Sequence, residues 1–212
     1  PYEGEYATIS SSTLEDECFI DEDEEMNHEK IKRISEGATS TTFKLFDKKN
    51  GRMLCKKVLK IQPEKNKRRR VKNALKEFEI LHRIRHPCIC KAIGINIQEK
   101  VDEETSTIAL FLEFLPHTLI ESLQKGIIDN TLKTKIVVEV VHAMKFVHKN
   151  GMMHRDLKIE NIMLNSAFEA KIVDFGLVRI DECLLGSNLS METLSVGIGT
   201  LAYMSPEMIN EE

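Results

Sequence analysis

Long apolar runs are missing from this 212-residue chain. The best candidate, residues 108–115, is interrupted by Glu113. That falls far short of the roughly 18 apolar residues a membrane-spanning helix needs, and excludes one. The chain opens on Pro1, with no basic stretch followed by an apolar one. A secretory signal pattern is therefore absent, and the sequence reads as an internal piece of a longer protein. Paired cysteines are missing too. Cys18, Cys55, Cys88, Cys90 and Cys183 are odd in number and scattered, and the single residue between Cys88 and Cys90 is not a metal-knuckle spacing. This argues against a disulfide framework and for reduced thiols in the cytoplasm or the nucleus. No internal repeat or low-complexity tract is visible. What remains is an ordinary globular mixture, 42% hydrophobic and 30% charged, long enough to bury one sizeable core or two small ones.

Charge is unevenly spread. Residues 1–30 hold eleven acids and one base, Lys30, for a net −10, while the remainder carries 29 bases against 23 acids, or +6. A segment so acidic, with so little apolar periodicity, cannot bury enough surface to offset chain entropy. Residues 1–28 are therefore expected to form a flexible acidic leader, either a plain linker or a regulator folding back on the basic remainder. The compact basic run at residues 65–70, KNKRRR, reads as a solvated helix start, with a nuclear address or a nucleic-acid patch as the competing reading. No aromatic residues interleave with it, so nucleic-acid binding is not expected.

Residues 31–35, 41–47 and 53–61 read as three short strands, the last two joined at Asn50-Gly51, a strong hairpin signal. Val71, Ala74, Leu75, Phe78, Leu81 and Ile84 follow helical spacing over residues 66–84, and His86-Pro87 stops that helix. Two more strands are expected at about 91–98 and 107–113. After Leu115-Pro116 the character changes to a short helix at 119–124 and a long one at 132–148, with Ile136, Val140, Met144 and Val147 on one stripe. Asn150-Gly151 ends the long helix as a left-handed cap would. Short apolar runs follow at 162–164 and 170–173, and residues 181–197 read as a long loop. The pattern predicts a sheet-rich front half and a helix-rich back half, with a cleft where they meet.

The chemistry lies in the back half. His154-Arg155-Asp156-Leu157-Lys158-Ile159-Glu160-Asn161 follows the long helix, and Asp174-Phe175-Gly176 begins thirteen residues after Asn161. Ser205-Pro206-Glu207 lies downstream. Together these strings resemble the catalytic loop, metal-binding loop and Ala-Pro-Glu motif of the eukaryotic protein kinase family, over roughly residues 30–212. Phosphoryl transfer needs dispersed negative charge neutralised and an acceptor hydroxyl aligned, and the residue types suit that task. The resemblance implies that Asp156 receives or orients the hydroxyl proton and that Asn161 and Asp174 offer hard oxygen ligands to Mg²⁺. It implies that Lys158 reaches the transferred phosphate, a lysine that marks the Ser/Thr-directed branch. Asp156 and Asp174 both adjoin apolar runs, where an unpaired charge is costly, so each is expected to be partnered.

The same resemblance sharpens the front half. Leu54-Cys55-Lys56-Lys57 is similar to the family's third-strand pattern, with Cys55 in the small-residue place and Lys57 facing the cleft by strand alternation. The competing register turns Lys56 inward. Glu77 shares the apolar face of the helix with Ala74 and Leu81, and counting back from His86-Pro87 selects it over Glu79 as the partner of Lys57. The phosphate loop departs from the family, because Ser35-Glu36-Gly37-Ala38-Thr39-Ser40 keeps only the central glycine of three. Serine is small and hydrogen-bonds phosphate, but backbone approach to the phosphates is less free than with glycine. The implied ATP site comprises Ile34, Ser35, Gly37, Ser40, Thr42, Cys55, Lys57, Glu113, Leu115 and Met163. Leu112 and Phe114 complete the gatekeeper and hinge positions, and Leu81, His154 and Phe175 match the family's regulatory stack. Thr200 matches the residue that contacts Asp156 and Lys158 in Ser/Thr kinases. Arg155 suits a phosphate on the activation segment; among Ser187, Ser190, Thr193 and Ser195, spacing favours Ser195, then Thr193.

The expected fold is α+β and bilobal, a protein-kinase-like arrangement with a small sheet plus one helix at residues 29–114 and a helical, incomplete C-lobe at 115–212. The expected activity is ATP- and Mg²⁺-dependent transfer of phosphate to Ser/Thr hydroxyls of protein substrates, in the cytoplasm or the nucleus. The rival reading is a pseudokinase, a nucleotide-binding or interaction module, suggested by the glycine-poor loop. In the family, the C-lobe continues past the position of Glu207 for several helices. Residues 1–212 alone are therefore expected to be poorly stable and inactive, and further domains of a longer parent chain are expected.

Overall fold

The computed structural model describes residues 18–20, 27–37, 40–59, 67–99, 106–180 and 200–209. Backbone contacts divide the chain into two units: the residues up to Arg85 with Cys90–Leu115, and His86–Ile89 with the residues from Pro116 on.

The first unit is an antiparallel sheet with one long helix. Its strands are β1 (His28–Glu36), β2 (Ser40–Asp47), β3 (Arg52–Leu59), β4 (Ala92–Glu99) and β5 (Ser106–Glu113), in the order β1-β2-β3-β5-β4. The β2–β3 hairpin turns at Gly51, whose φ of +62° is one that a side chain disfavours. Asp47, buried before the turn, holds it from both sides. It accepts from the Asn50 amide at 3.1 Å, from Asn50 Nδ2 at 2.8 Å and from Arg52 Nε at 3.1 Å. Helix α1 (Lys67–Arg83) lies beside β4 and β5 and buries Ala74, Phe78 and Leu81 at helical spacing. Leu45, Leu54, Ala109 and Phe111 form an apolar cluster against which Ile20, Phe43, Val58 and Ile93 pack.

Ile20 lies inside the segment expected to be a flexible leader, and this is a correction. Cys18 is buried, Phe19 bridges Ile95, and Ile20 donates its N–H to the Ile95 carbonyl at 2.8 Å. Cys18-Phe19-Ile20 is an apolar island in the acidic stretch, and it finds the unpaired edge of β4. The leader reading also reached residue 28, whereas β1 already begins at His28.

The second unit contains β6 (His117–Thr118), α2 (Leu119–Gln124), α3 (Asn130–Lys149), β7 (Met152–Met153), a 3₁₀ turn (Ile159–Asn161), β8 (Ile162–Leu164), β9 (Ala170–Ile172), β10 (Arg179–Ile180), a second 3₁₀ turn (Leu201–Tyr203) and α4 (Pro206–Ile209). Asp129 caps α3 by accepting from the Leu132 amide at 2.7 Å, which starts the helix two residues before its first apolar position. At the other end Asn150 donates its N–H to the Phe146 carbonyl, and Gly151, at φ +67°, turns the chain out. Leu119, Ile128, Ile136, Leu164 and Ala170 make the core.

The buried face of α3 is Ile136, Glu139, Ala143, Phe146 and Val147. This is rotated from the expected stripe, and Val140 and Met144 are only half-buried. The rotation buries Glu139, whose Oε2 accepts from the Ala170 amide at 2.7 Å, while Oε1 has no hydrogen-bond partner and lies 3.5 Å from Lys135 Nζ. His86–Ile89 joins this unit rather than the sheet because Ile89 bridges Ile172 and the Ile172 amide donates to the Cys88 carbonyl at 2.9 Å.

Candidate active site

Asp156 is the centre of a buried polar network. Its Oδ1 accepts from the Thr200 amide at 2.9 Å and from the Thr200 hydroxyl at 2.8 Å. Its Oδ2 accepts from Lys158 Nζ at 2.7 Å and from Asn161 Nδ2 at 3.1 Å. Lys158 Nζ also donates to Thr200 Oγ1 at 2.6 Å, which closes a triangle. Burial works to raise the Asp156 pKa, yet the hydrogen bonds from Lys158, Thr200 and Asn161 outweigh it and hold the carboxyl below the ordinary carboxylate range. Ionised and desolvated, it is a strong acceptor at neutral pH.

The loop that carries Asp156 is fastened at several residues. His154 is buried, which pushes its pKa down and favours the neutral ring. Its Nδ1 accepts from the Asp156 amide at 3.3 Å, so Nε2 carries the proton toward the Val173 carbonyl, also at 3.3 Å. Its ring meets Phe175 edge-on with centroids 4.8 Å apart. Arg155 sits at φ +62° and donates from Nε to the Leu177 carbonyl at 2.7 Å. Asn161 donates a second bond from Nδ2 to the Asp156 carbonyl at 2.8 Å. Asp174 follows Val173, whose amide donates to the Asn161 carbonyl at 3.0 Å. Asp174 is itself at φ +64°, and left-handed backbone at two non-glycine residues is strain of the kind that collects at functional sites. Asp174 is exposed, although it adjoins an apolar run. The flanking Phe175 is turned inward instead, at 1% exposure.

In the first unit, Lys57 Nζ lies 2.9 Å from Glu77 Oε1, with the side chains 19% and 8% exposed. The register pairs Lys57 with Thr42 and Leu110, and Cys55 with Lys44 and Leu112. Cross-strand partners share a face, so Thr42, Cys55 and Lys57 lie together while Lys56 turns the other way, 5.5 Å from the centroid of Phe111. Burial pushes the Cys55 thiol up to about 11, which keeps it protonated. Ser35 pairs with Thr42 across β1–β2, Ile34 is exposed, and the Gly37 amide donates to the Ser40 carbonyl at 2.9 Å. Glu113 donates its N–H to the Lys91 carbonyl at 3.0 Å and accepts from the Lys91 amide at 2.7 Å through Oε1. Leu115 is buried at the end of this unit, whereas Met163 belongs to the second, on β8 opposite Lys171 and Thr118. Ser187, Ser190, Thr193 and Ser195 lie outside the described residues.

A family description, protein kinase domain, matches residues 28–212. The chain belongs to the protein kinase domain family. It is similar to cyclin-dependent kinase G-2 of Oryza sativa subsp. indica, 30% identical over 184 residues, covering 85% of this chain and 24% of the relative. It is 29% identical over 189 residues to cyclin-dependent kinase 4 of Xenopus laevis, covering 86% of this chain and 56% of the relative. It is 26% identical over 190 residues to mitogen-activated protein kinase kinase kinase 3 of Homo sapiens, covering 88% of this chain and 29% of the relative. The chain thus spans between about a quarter and just over half the length of these relatives. Among the described residues, no helix of the kinase domain is long and apolar enough to cross a membrane.

Sequence reasoning missed two groups in this kinase domain. One is Glu139, which lies off the stripe that Ile136, Val140, Met144 and Val147 suggest and is buried only because α3 is rotated. The other is His86, noticed only as a helix stop, whose Nδ1 accepts from the Cys88 amide at 3.0 Å.

Proposed function

We propose that the kinase domain transfers the γ-phosphoryl group of ATP to Ser or Thr hydroxyls of protein substrates. The observation that carries this reading is the triangle of Asp156, Lys158 and Thr200. Asp156 is held ionised, so it receives or orients the proton of an incoming hydroxyl. Lys158 stands against that carboxylate and suits the charge that gathers on a phosphoryl group in transfer, and its presence supports the Ser/Thr direction. Thr200 fixes both partners through its amide and its hydroxyl. Lys57, steadied by Glu77, positions the phosphates, and Thr42, Cys55 and the Ser35–Ser40 turn supply the sheet's side of the nucleotide site. Ile34, Glu113, Leu115 and Met163 complete the adenine site in this reading. The two units serve as the lobes in this reading, with His86–Ile89 belonging to the second, and phosphate on Ser195 or Thr193 engages Arg155.

The residues fit Mg²⁺. Asn161 spends Nδ2 on Asp156, which leaves Oδ1 as its acceptor, and Asp174 adds a carboxylate. Among the described residues, no group of three or more His, Cys, Asp or Glu side chains could hold a metal ion. Two protein oxygens, with phosphate oxygens and water completing the shell, is the habit of Mg²⁺. The ion, when bound, neutralises charge on the phosphates.

The test is transfer of radiolabelled phosphate from ATP to a generic basic protein by the full-length protein, wild type beside Asp156→Asn. Loss of a general base is expected to lower transfer by about 10²–10⁴-fold. Wild-type transfer no faster than that of Asp156→Asn would favour the second reading, a nucleotide-binding module without transfer, which Ser35 and Ser40 in place of glycine support.

A further inference from the structure

The acidic segment before β1 carries a contact that phosphate transfer does not explain. β4 is an edge strand of the sheet, and Cys18-Phe19-Ile20 lies along it. Phe19 bridges Ile95 in parallel register. Ile20 donates its N–H to the Ile95 carbonyl at 2.8 Å, and its own carbonyl accepts from Asn96 Nδ2 at 2.7 Å. Main-chain bonding along an open edge is how a strand is added to a sheet.

Two side chains flank this bridge and reach different elements. Ile20 fills the space over Gly94, where a Cβ would come within 2.5 Å of its Cδ1 and 2.6 Å of its Cγ1. From there Ile20 packs on the cluster of Leu45, Leu54, Ala109 and Phe111. Cys18, only 4% exposed, places Sγ 3.2 Å from Nε2 of His82, in the last turn of α1. His82 stacks on Phe78, with centroids 5.3 Å apart, and Phe78 is fully buried. Phe78 adjoins Glu77, which pairs with Lys57. Contacts therefore run from the leader through His82 to Phe78, on the stretch of α1 whose next residue, Glu77, pairs with Lys57.

We propose that Cys18–Ile20 is a strap that holds the C-terminal half of α1 to the edge of the sheet, and that Cys18 and Ile20 are positioning residues for phosphate transfer, fixing through His82 and Phe78 the placement of the helix that carries Glu77. The proposal rests on the kinase reading of that ion pair. Its physical basis is that a helix packed on a sheet through apolar contacts can slide, whereas a third element bonded to the sheet and touching the helix removes that freedom. Glycine at position 94 makes room for the strap, since a larger residue there would lift Ile20 from its seat.

The experiment uses the full-length protein with Ile20→Asp, Gly94→Ala and the conservative Ile20→Val. It reads amide hydrogen exchange over residues 78–84 and over β2 and β3, together with the kcat and the KM for ATP. Ile20→Asp is expected to speed exchange over 78–84, leave β2 and β3 protected, and lower kcat/KM for ATP about tenfold, the size common for coupling between sites. Gly94→Ala leaves the leader intact but takes its seat, and is expected to do the same. Ile20→Val is expected to retain wild-type protection and turnover. Unchanged exchange over 78–84 in both Ile20→Asp and Gly94→Ala overturns the strap, whatever the rate of transfer. Loss of protection spread equally over β2 and β3 overturns it too, because the segment is then ordinary core. If the wild type transfers no phosphate while exchange over 78–84 still depends on Ile20, the strap stands and the kinase reading falls.

Discussion

Lys57 and His86 show how much one side chain can carry in this protein. Lys57→Met removes an ammonium 2.9 Å from Glu77 while keeping much of the stem's length and apolar character. The fold is expected to survive, and phosphate transfer to fall by several orders of magnitude, because positioning supplies most of the catalysis in this chemistry. Lys56→Met, on the opposite face over Phe111, is expected to leave transfer near wild type, and reversal of the two results would refute the register. His86 reports on pH. Burial, with repulsion from His142 and Lys171, pushes its pKa from 6.5 down to about 4. Its Nδ1 must stay unprotonated to accept from the Cys88 amide. The folded-state pKa lies below the unfolded one, so the unfolded chain takes the proton first as pH falls. Stability is therefore expected to be full above about 6.5 and to decline as pH drops toward about 4. Urea unfolding at pH 7 and pH 5 measures this, and His86→Gln is expected to flatten the difference.

At the scale of elements, α3 and β9 depend on one another through a buried charge. Glu139, 2% exposed, accepts the Ala170 amide at the start of β9 and stands 3.5 Å from Lys135. Glu139→Ala leaves the Ala170 N–H without its acceptor and opens a void, a loss of about 3 kcal/mol. Glu139→Gln keeps an acceptor of the same shape and is expected to cost about 1 kcal/mol or less. Equal losses in denaturant unfolding would mean that the carboxylate's charge, not its bond to β9, matters. The loop that carries Asp156 is bonded to this joint. Ile172 ends β9, Val173 bonds Asn161, and Asn161 bonds Asp156, so Glu139→Ala is also expected to reduce transfer, whereas Glu139→Gln largely retains it.

At the scale of the whole molecule, α3 displays more apolar surface than its role in the core requires. Val137, Val138 and Val141 are 61%, 46% and 57% exposed. Beside them lies a shallow groove of about 500 Å³ lined by Val140, Val141, Met144, Lys145, His148 and Leu157. A contiguous patch of this kind invites association. The 212-residue chain is expected to aggregate on concentration, and Val137→Lys with Val141→Glu is expected to suppress this while shifting stability by no more than about 0.5 kcal/mol each. Light scattering and a thermal melt on the two proteins decide the matter. A fall in melting temperature without a gain in solubility would show that the valines are holding the fold.

What could be read directly from the chain was what local physics enforces. Alternation along β3 separates Lys57 from Lys56, Asn50-Gly51 makes its own turn, and Asn150-Gly151 ends α3. The resemblance of residues 154–161 and 174–176 to a known family added the roles and singled out Thr200, which no local spacing connects to a carboxylate 44 residues away. Only the tertiary structure decided the rest. It turned Glu139 inward, left Asp174 exposed, moved His86–Ile89 into the second unit and set Cys18–Ile20 on the edge of β4. The reason is common to all four. Backbone preference and periodicity act within a few residues, but which buried donor meets which acceptor, and which open edge meets which apolar island, depends on segments that are brought together only by folding.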